Sequence, residues 1–166
     1  AGAIQLEDGL LPVTVSAMKE IIALADRSAT EELSLMLRIG FFTGLRIGSI
    51  TDLKVQTLLN ATLVPEVGWK RLAVGPGARP TVSTKFGVSG SVPIPEELLE
   101  TLIVYSMSTR RLKRQMLASP EDRDLLFLTR YGNSYSGDDS RAVNVEMSRL
   151  RTSGKRAGLQ VMRGFH

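Results

Sequence analysis

The chain has 166 residues, is 43% hydrophobic and 23% charged, and carries 21 Lys and Arg against 17 Asp and Glu. Those values suit one soluble globular domain, or a truncated one, and the formal charge of +4 with a pI near 9.7 hints at a polyanionic partner without proving one. With no cysteine and one histidine, His166, the chain lacks a disulfide scaffold, a thiolate nucleophile and the material for a cysteine-rich or His-rich metal site.

Thr14 is suited to cap a helix running to about residue 26, with Val15, Met18, Ile21, Ile22 and Ala25 along one side. Thr30, followed by Glu31 and Glu32, starts a second helix. Leu33, Met36, Leu37, Phe41 and Phe42 are expected on its buried face, and Gly44 just past its end. Residues 47–53 read as a short third helix with Ile50 and Leu53 inward. The texture then changes to short segments at 69–74, 80–84 and 91–94, separated by Gly and Pro, which predict a three-stranded antiparallel sheet. Pro95, Glu96 and Glu97 open another helix, with acids near the positive end of its dipole. It is expected to continue through Leu98, Leu102, Tyr105 and Leu112 to a basic end at Arg110, Arg111, Lys113 and Arg114, most simply a solvated helix end, with its role left open by the sequence. An apolar stretch at 125–128 leads to a Gly132-Asn133 turn, and Asp138 and Asp139 open a last helix ending among Arg149, Arg151, Lys155 and Arg156. The order of helices, small sheet and helices predicts an α+β fold, mainly α.

The run Phe42-Thr43-Gly44-Leu45-Arg46-Ile47-Gly48-Ser49-Ile50-Thr51-Asp52-Leu53 resembles the first motif of the tyrosine recombinases, the phage-integrase family, in which a threonine-glycine-leucine-arginine turn carries the first catalytic arginine. That residue is Arg46, whose planar fork of donors matches phosphate oxygens. Val82-Ser83-Thr84-Lys85-Phe86-Gly87 followed by Ser91-Val92-Pro93-Ile94-Pro95 resembles the family's lysine-bearing hairpin, with the lysine at Lys85. Leu126-Phe127 through Gly132, a Ser136-containing approach to a helix, and Lys155-Arg156-Ala157-Gly158-Leu159 follow the order that precedes the family's second motif. His166 therefore lies at or near that motif's histidine, in a register the sequence leaves open. One departure stands out: three positions after the first arginine the family usually has an acid, and here Ser49 stands there, with Asp52 the nearest substitute.

The resemblance implies a site-specific DNA recombinase or integrase that breaks and rejoins strands through a covalent 3′-phosphotyrosyl link, needing neither metal nor other cofactor. It implies Arg46 as a clamp on the nonbridging phosphate oxygens, Lys85 as general acid to the leaving oxygen, and His166 in proton transfer or phosphate binding. Residues 1–166 would be a partial catalytic domain, inactive alone, without the N-terminal core-binding domain and without the C-terminal segment that carries the nucleophile. Tyr105, Tyr131 and Tyr135 sit at the wrong places in the order for that nucleophile and read as core or turn residues. The expected partner is double-stranded DNA, met by the last helix through Ser140, Arg141 and Asn144, and the full-length protein would form a tetrameric synapse. No 18-residue apolar run and no signal peptide is evident, so a cytoplasmic, nucleoid-associated or phage-encoded protein is expected.

Two other readings stay open. One is a non-catalytic DNA-binding module of the same fold, kept in view by Ser49. The other is an unrelated helical interaction domain in which Arg46 ties two helices together and Lys85 is a solvated turn lysine.

Overall fold

A computed structural model describes residues 14–136. Ser140, Arg141, Asn144 and His166, together with the expected last helix, lie outside the described residues. The chain forms two compact units, whose described parts are residues 14–47 and residues 48–136.

In the first unit the Thr14 hydroxyl accepts from Ala17 N–H at 3.1 Å and starts α1, Val15–Ser28. Thr30 accepts from Leu33 N–H at 3.2 Å and starts α2, Glu31–Thr43, whose first turn carries Glu31 and Glu32. Both caps satisfy amides that have no partner inside their own helix. Met18 and Ile21 of α1 and Leu33, Met36 and Ile39 of α2 are buried, the two helices pack on each other, and Asp26 of α1 accepts from Ser34 and pairs with Arg38, both on α2. Two expected core residues differ. Val15 is 43% exposed at the first helical position, and Phe42 is 39% exposed in the last turn of α2. The apolar stripe outruns the core at each helix end, and Phe42 stacks edge to face on the half-buried Phe41 instead, ring centres 4.8 Å apart.

The second unit begins with α3, Ile47–Thr51, all but its first residue, and α4, Val55–Leu59, a helix that the sequence reading missed. Ile50 and Leu53 are buried as expected. The three-stranded antiparallel sheet is present, in the order β1 (Thr62–Leu63), β2 (Trp69–Val74), β3 (Gly90–Pro95). Leu72 lies opposite Val92, and Lys70 opposite Ile94; Leu72, Val74 and Ile94 are buried, β3 packing on α5, where Leu98, Leu99 and Leu102 are buried, and β2 on α4.

Residues 80–84 are not a strand, contrary to expectation, and Thr62–Leu63 supplies the third one. Pro80 has no N–H to give a ladder. Beyond the single bridge from Val82 to Gly75, the backbone groups of Thr81 and Ser83 bond to side chains of α3 and the residues just after it.

The long helix expected from Pro95 is two, α5 (Glu96–Ser106) and α6 (Thr109–Leu117). Ser108 divides them: its hydroxyl donates to Tyr105 O at 2.6 Å, closing the first, and accepts from Arg111 N–H at 3.2 Å, capping the second. Leu112, expected inward, is 43% exposed on α6 as a result. Behind α5 and α6 run the buried residues Leu125, Leu126, Phe127 and Leu128, with Phe127 beside Tyr105 at 5.8 Å between ring centres. Leu126 N–H donates to Leu53 O at 2.8 Å and Val55 N–H to Asp124 O at 2.9 Å, which fastens this stretch to the α3–α4 corner.

Candidate functional site

Arg46 follows a helix end built by three residues. The Thr43 hydroxyl donates back to Ile39 O at 2.6 Å and accepts from Leu45 N–H at 3.1 Å. Gly44 takes the left-handed conformation, φ 74°, and its N–H closes on Gly40 O at 3.0 Å. Leu45 is buried and Arg46 half-buried. The threonine-glycine-leucine sequence therefore has a local reason: it stops α2 and fixes where the chain presents the arginine.

Lys85 lies on a single 3₁₀ turn, Lys85–Gly87, in the connection from β2 to β3, and is exposed. Phe86 carries φ 60°, unusual for a non-glycine residue, is 88% exposed, and its ring lies 5.3 Å from the Lys85 ammonium. The turn is bonded within itself: Gly87 N–H donates to Thr84 O at 3.2 Å, and the Thr84 hydroxyl to Val88 O at 2.5 Å.

The approach to that turn is tied to α3 and the residues after it. Ser83 N–H donates to Asp52 Oδ2 at 2.7 Å, and the Ser49 hydroxyl donates to Ser83 O at 2.5 Å. Lys54 Nζ donates to Thr81 O at 2.7 Å and pairs with Asp52 at 3.1 Å. Ser49 is thus buried and engaged on the connection that carries Lys85, and the half-buried Asp52 is engaged there too. Sequence reasoning missed these ties; the one available signal was two oxygen-bearing side chains three residues apart, at 49 and 52, on a short helix and its exit.

The basic end of the expected long helix is also different in kind. Arg111 is 2% exposed and donates to four carbonyl oxygens, those of Ser106, Arg123, Leu125 and Leu126. Arg114 donates to Leu128 O at 2.7 Å. These are structural clamps between α6 and the 123–128 stretch, which corrects the reading of Arg111 as part of a solvated end. Among the tyrosines, Tyr105 and Tyr135 are buried and Tyr131 is 63% exposed beside Arg130, whose guanidinium donates to its hydroxyl at 2.6 Å. Among the described residues no group of three or more His, Asp or Glu is placed to hold a metal ion, and no helix is long and apolar enough to cross a membrane.

Arg46 belongs to the first unit and Lys85 to the second. Of the other expected site residues, His166, Ser140, Arg141 and Asn144 fall outside the described residues.

No protein-family model matches the sequence, and no curated protein matches it. Solved structures do share the fold. A pre-cleavage complex of the XerH site-specific recombinase bound to difH substrate matches 96% of this chain at a TM-score of 0.57 and 17% identity. A post-cleavage complex of XerH with palindromic difH substrate matches 91% at 0.55 and 18% identity. The chain spans only 39% of each of those recombinase chains. The fold is that of a tyrosine recombinase, helices with a small three-stranded antiparallel sheet, as the sequence predicts.

Proposed function

We propose that the chain is part of the catalytic domain of a site-specific DNA recombinase, a strand transferase that acts through a covalent 3′-phosphotyrosyl intermediate. The observation that carries this reading is the position of Lys85: an exposed lysine on the β2–β3 connection, in a fold that matches recombinase structures along nearly the whole chain. In the reaction, a tyrosine oxygen forms a bond to phosphorus while the bond to the 5′-oxygen breaks. Lys85 gives that leaving oxygen its proton, and Arg46 stabilises the charge growing on the nonbridging oxygens. Reversal by another strand's 5′-hydroxyl reseals the DNA, so the phosphodiester energy is conserved and neither ATP nor a metal enters the scheme. On this reading the nucleophilic tyrosine and the rest of the second motif come from a segment other than these 166 residues.

Duplex DNA is the proposed partner, with Ser140, Arg141 and Asn144 facing it and a tetrameric synapse as the working assembly, in the prokaryotic cytoplasm or from a phage genome. Affinity from lysines and arginines against phosphates falls steeply with salt.

The test uses a polypeptide extended through the nucleophile and a labelled duplex nicked near the cleavage point. Recombinase chemistry leaves a DNA–protein adduct that survives denaturation, and Lys85→Ala abolishes its rapid formation. Salt-sensitive binding with no adduct selects the non-catalytic DNA-binding module. Absence of DNA binding at low salt removes both readings.

A further inference from the structure

The connection that carries Lys85 is long, residues 75–89, and its tip is exposed. A general acid at such a tip works only if it is delivered to one place, because a displacement near 1 Å costs on the order of a hundredfold in rate. The fixed point nearest Lys85 is Ser83. Both of its backbone groups are taken by side chains from outside the connection: Asp52 accepts from its N–H at 2.7 Å, and the Ser49 hydroxyl donates to its carbonyl oxygen at 2.5 Å. Two bonds of opposite polarity on one peptide residue fix its orientation as well as its position. Ser49 is 4% exposed, so the donor side of its part-buried bond is shielded from competing water. Lys54 holds Thr81 and Asp52 together from the side. From Thr84 onward the turn bonds to itself, and Lys85, Phe86, Gly87 and Val88 are exposed.

We propose that Ser49 and Asp52 are positioning residues for Lys85, acting through Ser83, so that the residue standing where the family usually has an acid shares with Asp52 the task of aiming the general acid. This rests on the recombinase reading of Lys85. It gives the serine a function in catalysis in place of a defect.

The test compares Ser49→Ala, Asp52→Ala and the double variant with Lys85→Ala in the extended, nucleophile-bearing polypeptide. Each is assayed on two duplexes: one with an ordinary phosphodiester at the cleavage point, and one whose 5′-bridging oxygen is sulfur. A thiolate leaves without being protonated, since thiols ionise near pH 8.5 and alcohols far higher, so the sulfur duplex does not need the acid. Single variants should slow cleavage of the oxygen duplex on the order of tenfold and the double variant about a hundredfold. All should cleave the sulfur duplex within about twofold of the parent, matching the pattern of Lys85→Ala, and DNA affinity should be unchanged. Ser49→Thr, which keeps the hydroxyl, should restore the oxygen reaction. Equal loss on both duplexes, or no loss on either, overturns the proposal. A parent protein that cleaves neither duplex overturns the recombinase reading itself. In that case the anchoring is read from Ser83 amide hydrogen exchange in the 166-residue chain: Asp52→Ala should accelerate it on the order of tenfold, and an unchanged rate overturns the anchoring too.

Discussion

The Arg111 guanidinium donates to the Leu125 carbonyl oxygen at 2.7 Å in a setting that leaves Arg111 2% exposed. The same side chain serves Ser106, Arg123 and Leu126, so one planar fork ties the end of α5 and the start of α6 to the stretch leading into Phe127. Burial pushes Arg111 below the usual guanidinium range, against the opposing pull of Tyr105 and Asp124. Arginine remains charged even so, and its charge is spent on carbonyl dipoles. Arg111→Ala would strand several buried acceptors and open a cavity. The expected loss is about 3–5 kcal/mol of unfolding free energy, read as a lower urea midpoint with an unchanged slope. Arg111→Lys should recover little of it, because an ammonium has three donors and no planar fork.

Gly75 tests the crossing at the base of the Lys85 connection. It has φ 96°, and a Cβ there would sit 2.5 Å from both Ser89 Cα and Val88 O. Both neighbours are backbone, so the connection itself must move. Gly75→Ala should cost about 1–3 kcal/mol from the left-handed conformation, with the steric shift in addition. In thermal melts this lowers the midpoint by several degrees. It should also raise amide exchange across residues 82–89, where a purely local effect would leave Ser83 unchanged.

What the sequence made legible is what short-range chemistry decides. Thr14 and Thr30 announce their helices through a hydroxyl aimed at an amide three residues on, and Gly44 announces a helix end by the conformation it tolerates. The turn after Lys85 is legible in Gly87 and Gly90, and the resemblance of residues 82–95 to the family's lysine-bearing hairpin is what puts Lys85 on it. The errors lie where distant partners decide. Residues 80–84 have strand composition, yet Ser83 finds its partners 31 and 34 residues away, on Asp52 and Ser49, and leaves the ladder to Thr62–Leu63. Ser108 sits inside a continuous helical pattern, and only its double hydrogen bonding shows that the chain turns there. Arg111 looked like a solvent-facing charge because nothing in its neighbourhood of sequence reports four carbonyl oxygens arriving from residues 106 and 123–126.

Phe86 gives a test in the opposite direction. Its ring is 88% exposed and its φ is 60°, so the folded chain gains little from the side chain and carries a conformational cost of roughly 1–2 kcal/mol for a residue with a Cβ. The ring's contact with the Lys85 ammonium is worth about 0.5–1 kcal/mol at an exposed site. Phe86→Gly should therefore leave the unfolding midpoint unchanged or slightly raised, as measured by differential scanning calorimetry. A clear drop in the midpoint would show that the ring has a packing role in the fold.

Arg46 separates charge from geometry. The turn Thr43-Gly44-Leu45 fixes where its side chain starts, through the Thr43 hydroxyl and the left-handed Gly44. If Arg46 grips two nonbridging oxygens of the scissile phosphate, a lysine keeps the charge but not the fork. Arg46→Lys should then slow adduct formation in the extended polypeptide by about a hundred- to a thousandfold, the range for losing one donor aimed at a growing oxyanion. DNA affinity should change little, and the slope of binding against salt should stay the same, because the number of cations is conserved. The defect should persist on the sulfur-bridged duplex, unlike that of Lys85→Ala, since stabilising the nonbridging oxygens is needed whichever atom leaves. Rescue of Arg46→Lys by sulfur would move Arg46 to the leaving-group side of the reaction, and full activity of the variant would remove Arg46 from the phosphate clamp.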